Sequence, residues 1–104
     1  MIIYEVNFEF APEIIAPFQD FMRHHIAEML KFEGFHSAEY WSVKREKQDL
    51  EWCKEVVQYR VQTLESLERY LREDAERMRQ PALDLFTNQF RATRRILLPK
   101  LFKK

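Results

Sequence analysis

The chain has 104 residues, 46% of them hydrophobic and 33% charged, with nine Phe, four Tyr and two Trp, enough apolar material for one packed domain and too much for a disordered tail. Seventeen Lys and Arg offset seventeen Asp and Glu, so the formal net charge is zero. One glycine, Gly34, is too few for a phosphate-cradling loop or a dinucleotide fingerprint, and one cysteine, Cys53, excludes an internal disulfide and a multi-cysteine zinc site.

Residues 2–10 alternate, with Ile2, Tyr4, Val6, Phe8 and Phe10 on one parity and Ile3, Glu5, Asn7 and Glu9 on the other, which predicts a strand. From 12 to 31 the period turns helical, and Ile14, Ile15, Phe18, Met22, Ile26 and Met29 share one stripe. Pro12 suits a first turn. Pro17 either kinks the helix or marks its regular start, and Gly34 is placed to close the element in a left-handed conformation. Residues 35–45 and 51–62 read as strands joined by the polar turn Glu46–Asp49, an antiparallel hairpin. Thr63 reads as the N-cap of a helix over 64–80 carrying Leu64, Leu67, Leu71, Ala75 and Met78. Pro81 opens a short further helical piece to about Phe86, and residues 90–98 form the last strand before Pro99.

The order β-α-β-β-α-β predicts an α+β, ferredoxin-like domain over residues 1–99, a four-stranded antiparallel sheet with two helices on one face; residues 100–104 form a basic C-terminal tail. No apolar run reaches the ~20 residues of a membrane span, and the N-terminus reads as a strand rather than a signal peptide. With one free thiol, the expected location is cytoplasmic, with no membrane partner.

On the first strand the even positions are wholly apolar and are expected to face the helices. The open face would then collect Ile3, Glu5, Asn7, Trp52, Val56, Gln58, Arg60, Thr93, Arg95 and Leu97. Ile3, Trp52, Val56 and Leu97 would leave an apolar patch in water, and such patches mark partner surfaces; a homodimer closed through this face is expected, with Glu5 paired to Arg60 or Arg95 inside it. The plain alternative is an ordinary solvated sheet face.

Candidate chemistry is sparse. His25 lies in the apolar stripe of the first helix and points between helix and sheet, where an imidazole can serve as a base or anchor a ligand, although a hydrogen-bonded core histidine is the commoner outcome. Glu5, Asn7, Gln58, Arg60 and Arg95 can surround a small polar or anionic ligand, with arginine as a fork for a carboxylate, or can simply be an interface cluster. His24 and His25, ~100° apart on a helix, do not chelate one metal, so neither metal nor cofactor is expected. The parity of Cys53 predicts a buried, inert thiol. RNA binding is disfavoured: no glycine lies in the third strand, Trp52 and Tyr59 fall on opposite faces, and the basic stretch Arg91–Lys104 is more simply a solvated end.

The segments Met1–Asn7, His25–Leu30, Val57–Arg60 and Leu64–Leu71 resemble a small bacterial family known as a domain of unknown function, across nearly the whole chain to about Leu98. Proteins of this shape are similar to the dimeric α/β-barrel superfamily, which holds small monooxygenases, haem-degrading enzymes, isomerases and non-catalytic members. The resemblance implies the fold and the dimer and assigns no catalytic residue. Asn7 resembles a feature of the haem-degrading members, but those use a histidine from the second helix, and residues 64–80 contain none. The expected function is that of a small homodimeric protein that binds a small molecule. The alternatives are an interaction module without a pocket, a cofactor-independent monooxygenase-like enzyme, and an RNA-binding domain.

Overall fold

A computed structural model describes residues 1–46 and 52–102. The alternating segment forms β1 (Ile2–Phe10), followed by a 3-10 turn (Pro12–Ile14) and α1 (Ile15–Met29). β2 (Phe35–Ser42) and β3 (Cys53–Val61) come next, then α2 (Leu64–Glu73), α3 (Ala75–Leu85) and β4 (Phe90–Leu97). The sheet order is β2-β3-β1-β4, with every neighbouring pair antiparallel. This is the ferredoxin-like α+β plan expected from the pattern, with three helices where two were anticipated. Of the expected hairpin turn, only Glu46 lies within the described residues.

The apolar parity meets the helices because burying it removes the most hydrocarbon from water. Tyr4, Val6, Phe8 and Phe10 of β1 are buried, and so are Val57, Tyr59 and Val61 beside them on β3. Phe18 of α1 is fully buried; it stacks on Phe10 with ring centroids 4.3 Å apart and meets Phe8 edge-on. Emptying a ring position of this kind costs ~3–5 kcal/mol. A second aromatic group, Tyr4, Tyr59, Tyr70 and Phe35, fills the other end of the same layer. The core therefore has a phenylalanine end and a tyrosine end.

Prolines and caps show where local preference holds and where packing overrides it. Pro12 begins the 3-10 turn, and Pro17 sits in the first turn of α1, where backbone N–H groups have no intrahelical acceptor. Thr63 caps α2, its Oγ1 accepting from the Ser66 N–H at 3.1 Å. Gly34 has φ +87° but lies beyond the end of α1, in the turn into β2; a Cβ there would come within 2.6 Å of Ser66. The helical break expected at Pro81 falls at Asp74 instead, and Pro81 lies inside α3. Restarting the helix at Asp74, whose carboxylate pairs with Arg77 at 2.8 Å, turns the small residues Ala75 and Ala82 inward to buried positions. The Pro81 ring stays exposed.

Candidate functional site

A cavity of about 240 Å³ lies between the helices and the covered face of the sheet. The phenylalanine end contributes Phe8, Phe18, Phe21 and Phe90, and the tyrosine end contributes Tyr4, Tyr59 and Tyr70. His25 from α1, Arg79 from α3 and Arg91 and Arg94 from β4 line it as well, and no Asp or Glu among the described residues does. Leu83 and Arg94 are both lining and exposed, so the cavity opens between α3 and the edge strand β4.

The polar end is built from three elements. Arg79 donates from Nη2 to the Tyr4 hydroxyl at 3.2 Å, while its Nε is buried without a hydrogen-bond partner among the described residues. Arg94, opposite Val6 in register, hydrogen-bonds through its side chain to Tyr4 and lies near Tyr70 and Arg79. Although the residue as a whole is exposed, partial desolvation of its guanidinium, and then the adjacent Arg79 charge, lower its pKa. Neither arginine belongs to an ion pair among the described residues. Burial raises the Tyr70 hydroxyl to about 12, so it keeps its proton at neutral pH.

His25 stacks on Phe21 at 5.5 Å between ring centroids. Burial first, and the Arg94 charge second, lower its pKa to about 4, so the imidazole is neutral at pH 7. A neutral imidazole near the Arg94 guanidinium, in a cavity that Arg79 also lines, can accept a proton from an acidic O–H or C–H, and the cations favour the anion left behind.

The open face of the sheet carries a different arrangement. Glu5 is only 3% exposed, although no helix covers it. It accepts from Gln58 Nε2 at 2.8 Å, Asn7 Nδ2 at 3.1 Å and Arg95 Nε at 2.5 Å. Register places Gln58 and Arg95 directly on either side of it. The Arg95 hydrogen bond is the main reason that its pKa falls to about 2, against the opposing effect of burial.

The sequence-derived site residues therefore separate into two places. His25 lines the cavity, whereas Glu5, Asn7, Gln58, Arg60 and Arg95 lie across the sheet from it. Arg60 does not pair with Glu5; it reaches Glu39 of the neighbouring strand at 3.2 Å, two residues along from its register partner Ser37. Ile3, Trp52, Val56 and Leu97 all sit partly buried on the open face, and the Arg91 guanidinium lies 4.9 Å over the Trp52 ring. Trp41, which the sequence analysis did not assign, is opposite Val56 and 52% exposed. The stretch read as a solvated basic end is partly engaged, since Arg91 pairs with Glu9, Arg95 with Glu5, and Arg94 lines the cavity.

Two charged residues on the covered parity were passed over in the sequence. Arg94 is one; Glu55 is the other, buried and held by the Gln19 amide at 2.6 Å and by the Tyr40 hydroxyl. Their signal was present as charges interrupting an otherwise apolar parity. Cys53 is buried, and no group of metal-ligating residues forms among the described residues. No helix of the described residues is long and apolar enough to cross a membrane.

The fold and its cavity define a ferredoxin-like α+β protein with a pocket beneath its helices. The chain belongs to the family described as a domain of unknown function, DUF4286, which it matches over residues 1–99. No curated protein sequence matches it. Among solved structures it is similar to a mutant of SnoaB, a cofactor-independent oxygenase from Streptomyces nogalater, with 14% identity, TM-score 0.68, and 97% of this chain and 95% of that one covered. It is also similar to an ethyl tert-butyl ether (ethd) family protein from Bacillus halodurans, with 15% identity, TM-score 0.70, and 96% and 100% covered. A third is a dimeric ferredoxin-like protein from an uncultured marine organism, with 17% identity, TM-score 0.65, and 96% and 97% covered. At these identities the likeness is one of fold.

Proposed function

We propose that the protein is a homodimer that binds a small molecule in the cavity between its helices and its sheet. The observation that carries this reading is the polar end of the cavity, where neither Arg79 nor Arg94 pairs with a carboxylate among the described residues and Arg79 Nε is buried without a hydrogen-bond partner among them. Native proteins leave few buried polar atoms unpaired, and an unpaired one at a cavity wall is a donor that a ligand in the cavity can satisfy. The open face supports the dimer: Ile3, Val56, Leu97 and Trp41 are apolar groups with no covering layer, and one protein of the same fold is described as dimeric. The buried lone thiol suits the reducing cytoplasm to which we assign the protein.

Indole, a neutral apolar probe, tests the cavity by thermal shift. Saturable stabilisation is expected, and it should disappear when the rim is plugged by Leu83→Trp; no stabilisation at millimolar indole refutes the cavity reading. Light scattering at micromolar concentration tests the dimer, and a monomer mass refutes it.

A second reading rests on neutral His25. If the bound molecule is acidic, the imidazole removes its proton and the arginines hold the anion, a chemistry of side chains alone that suits the likeness to a cofactor-independent oxygenase. Deuterium exchange at the activated methylene of benzoylacetone should be accelerated by the protein and not by His25→Gln.

A further inference from the structure

We propose that the cavity ligand is a small carboxylic acid with a ring or branched apolar body, its carboxylate held by Arg79 and Arg94 and its body lying against Phe18 and Phe21. This deepens the cavity reading and rests on it. The charge balance points to an anion, because the Arg79 and Arg94 guanidiniums line a cavity whose lining includes no acid among the described residues. Arg91, which also lines the cavity, is matched with Glu9, and away from the cavity Arg77 and Arg95 are matched with Asp74 and Glu5.

The geometry points to a carboxylate among anions. A guanidinium presents planar, forked donors, and paired N–H groups match the two oxygens of a carboxylate. Arg79 uses Nη2 on the Tyr4 hydroxyl and leaves Nε buried and unpaired. The Tyr4 oxygen accepts that bond, so its own proton is available to the same anion as a third donor. His25 is neutral and adds no further positive charge.

The remaining wall sets the size and character of the body. Phe18 is fully buried, and Phe21 is partly buried with His25 stacked on it, a flat surface suited to a ring. A volume of about 240 Å³ is below the ~300–1,000 Å³ of drug-sized pockets, which limits the ligand to a small molecule. A phosphate would place a third oxygen and a second charge toward this apolar wall, where desolvation is costly.

Calorimetry on the full chain with 3-phenylpropionate, 3-phenylpropionamide and inorganic phosphate tests the proposal. The acid is expected to bind at least about tenfold tighter than the amide, a difference of ~1.4 kcal/mol. Arg79→Met and Arg94→Met should each bring the acid down to the affinity of the amide, with the amide unchanged. Because Arg94 is exposed on an edge strand, its variant keeps the test sound if Arg79→Met folds poorly. Equal affinities of acid and amide overturn the carboxylate proposal while the cavity reading stands. Phosphate binding without binding of the acid also overturns it. Absence of binding by acid, amide and indole alike overturns both.

Discussion

The two faces of the sheet each hold a polar cluster that includes arginine, and they differ in whether the cluster contains a carboxylate to complete it. On the open face Glu5 is enclosed by donors from β1, β3 and β4, and its carboxylate is satisfied by Asn7, Gln58 and Arg95. On the covered face Arg79 and Arg94 line a cavity with Tyr4 and His25, and among the described residues no acid lines it and Arg79 Nε has no partner. A closed set of hydrogen bonds locks neighbouring strands together and leaves nothing to offer a ligand. An open set at a cavity wall costs stability in the free protein and returns it when an anion binds. Glu55 is the internal control: a charge on the covered side that is fully supplied with donors, from Gln19 and Tyr40.

The comparison breaks first at Glu5. Glu5→Ala should destabilise the protein by about 2–3 kcal/mol in denaturant unfolding, because it removes three hydrogen bonds at once and leaves the partly buried Asn7 and Gln58 amides without their acceptor. The acid limb reports the same carboxylate. Its folded pKa is depressed, so its contribution is present above about 4.5 and lost as pH falls toward about 2. Arg95 is 66% exposed, so solvent screening holds that contribution to ~1–2 kcal/mol. Glu5→Gln should flatten stability across this window.

His25 gives the next effect in a separate window. Its folded pKa is lowered from 6.5 to about 4, so between these values the unfolded chain binds the proton that the folded chain refuses. Stability therefore falls as pH drops from about 6.5 to 4, by about 2 kcal/mol. Urea titrations of His25→Gln should lack this slope. If the wild-type slope is absent, His25 is solvated and the cavity is wetter than described.

Trp41→Ala sharpens the interface side of the comparison. The dimer constant should weaken by about tenfold or more, as for truncation of an aromatic contact, with monomer unfolding little changed because Trp41 is half-exposed in the single chain. Sedimentation across a concentration series measures it.

The smallest change is the one with the opposite sign. Arg79→Met should leave the ligand-free protein unchanged or more stable by up to ~1 kcal/mol, since it removes an unpaired buried donor and keeps most of the side-chain volume. A loss as large as that of Glu5→Ala would mean that Arg79 is a structural contact, and the contrast between the faces would disappear.

Much of this architecture was readable from periodicity. The alternation of β1 identified which face meets the helices, because a period of two assigns alternate residues to opposite sides and five consecutive apolar choices leave one consistent orientation. The stripe through Phe18, Met22 and Met29 likewise named the buried side of α1. The candidate site was only half legible. His25 stood out as a polar residue in an apolar stripe, but the same test on β3 and β4 would have shown Glu55 and Arg94, which the sequence analysis passed over in favour of their apolar neighbours. Arg79 left no such mark, because it lies on a helix crowded with exposed charges. The position of the helix break was also hidden: proline is a strong local signal, yet at Pro81 it faces solvent while packing of Ala75 and Ala82 sets the restart at Asp74.

Composition and patterning by themselves determined a single ferredoxin-like layer, its covered and open sides, and the absence of a glycine-rich phosphate loop or a cysteine metal site, since these follow from short-range periods and residue counts. Only the tertiary structure decided which charges meet. Arg79 and Arg94 are brought to one cavity wall, and Glu5 is given to Arg95 rather than Arg60, by strand register and helix placement. Both are set by the packing of residues far apart in the chain, and no local spacing encodes them.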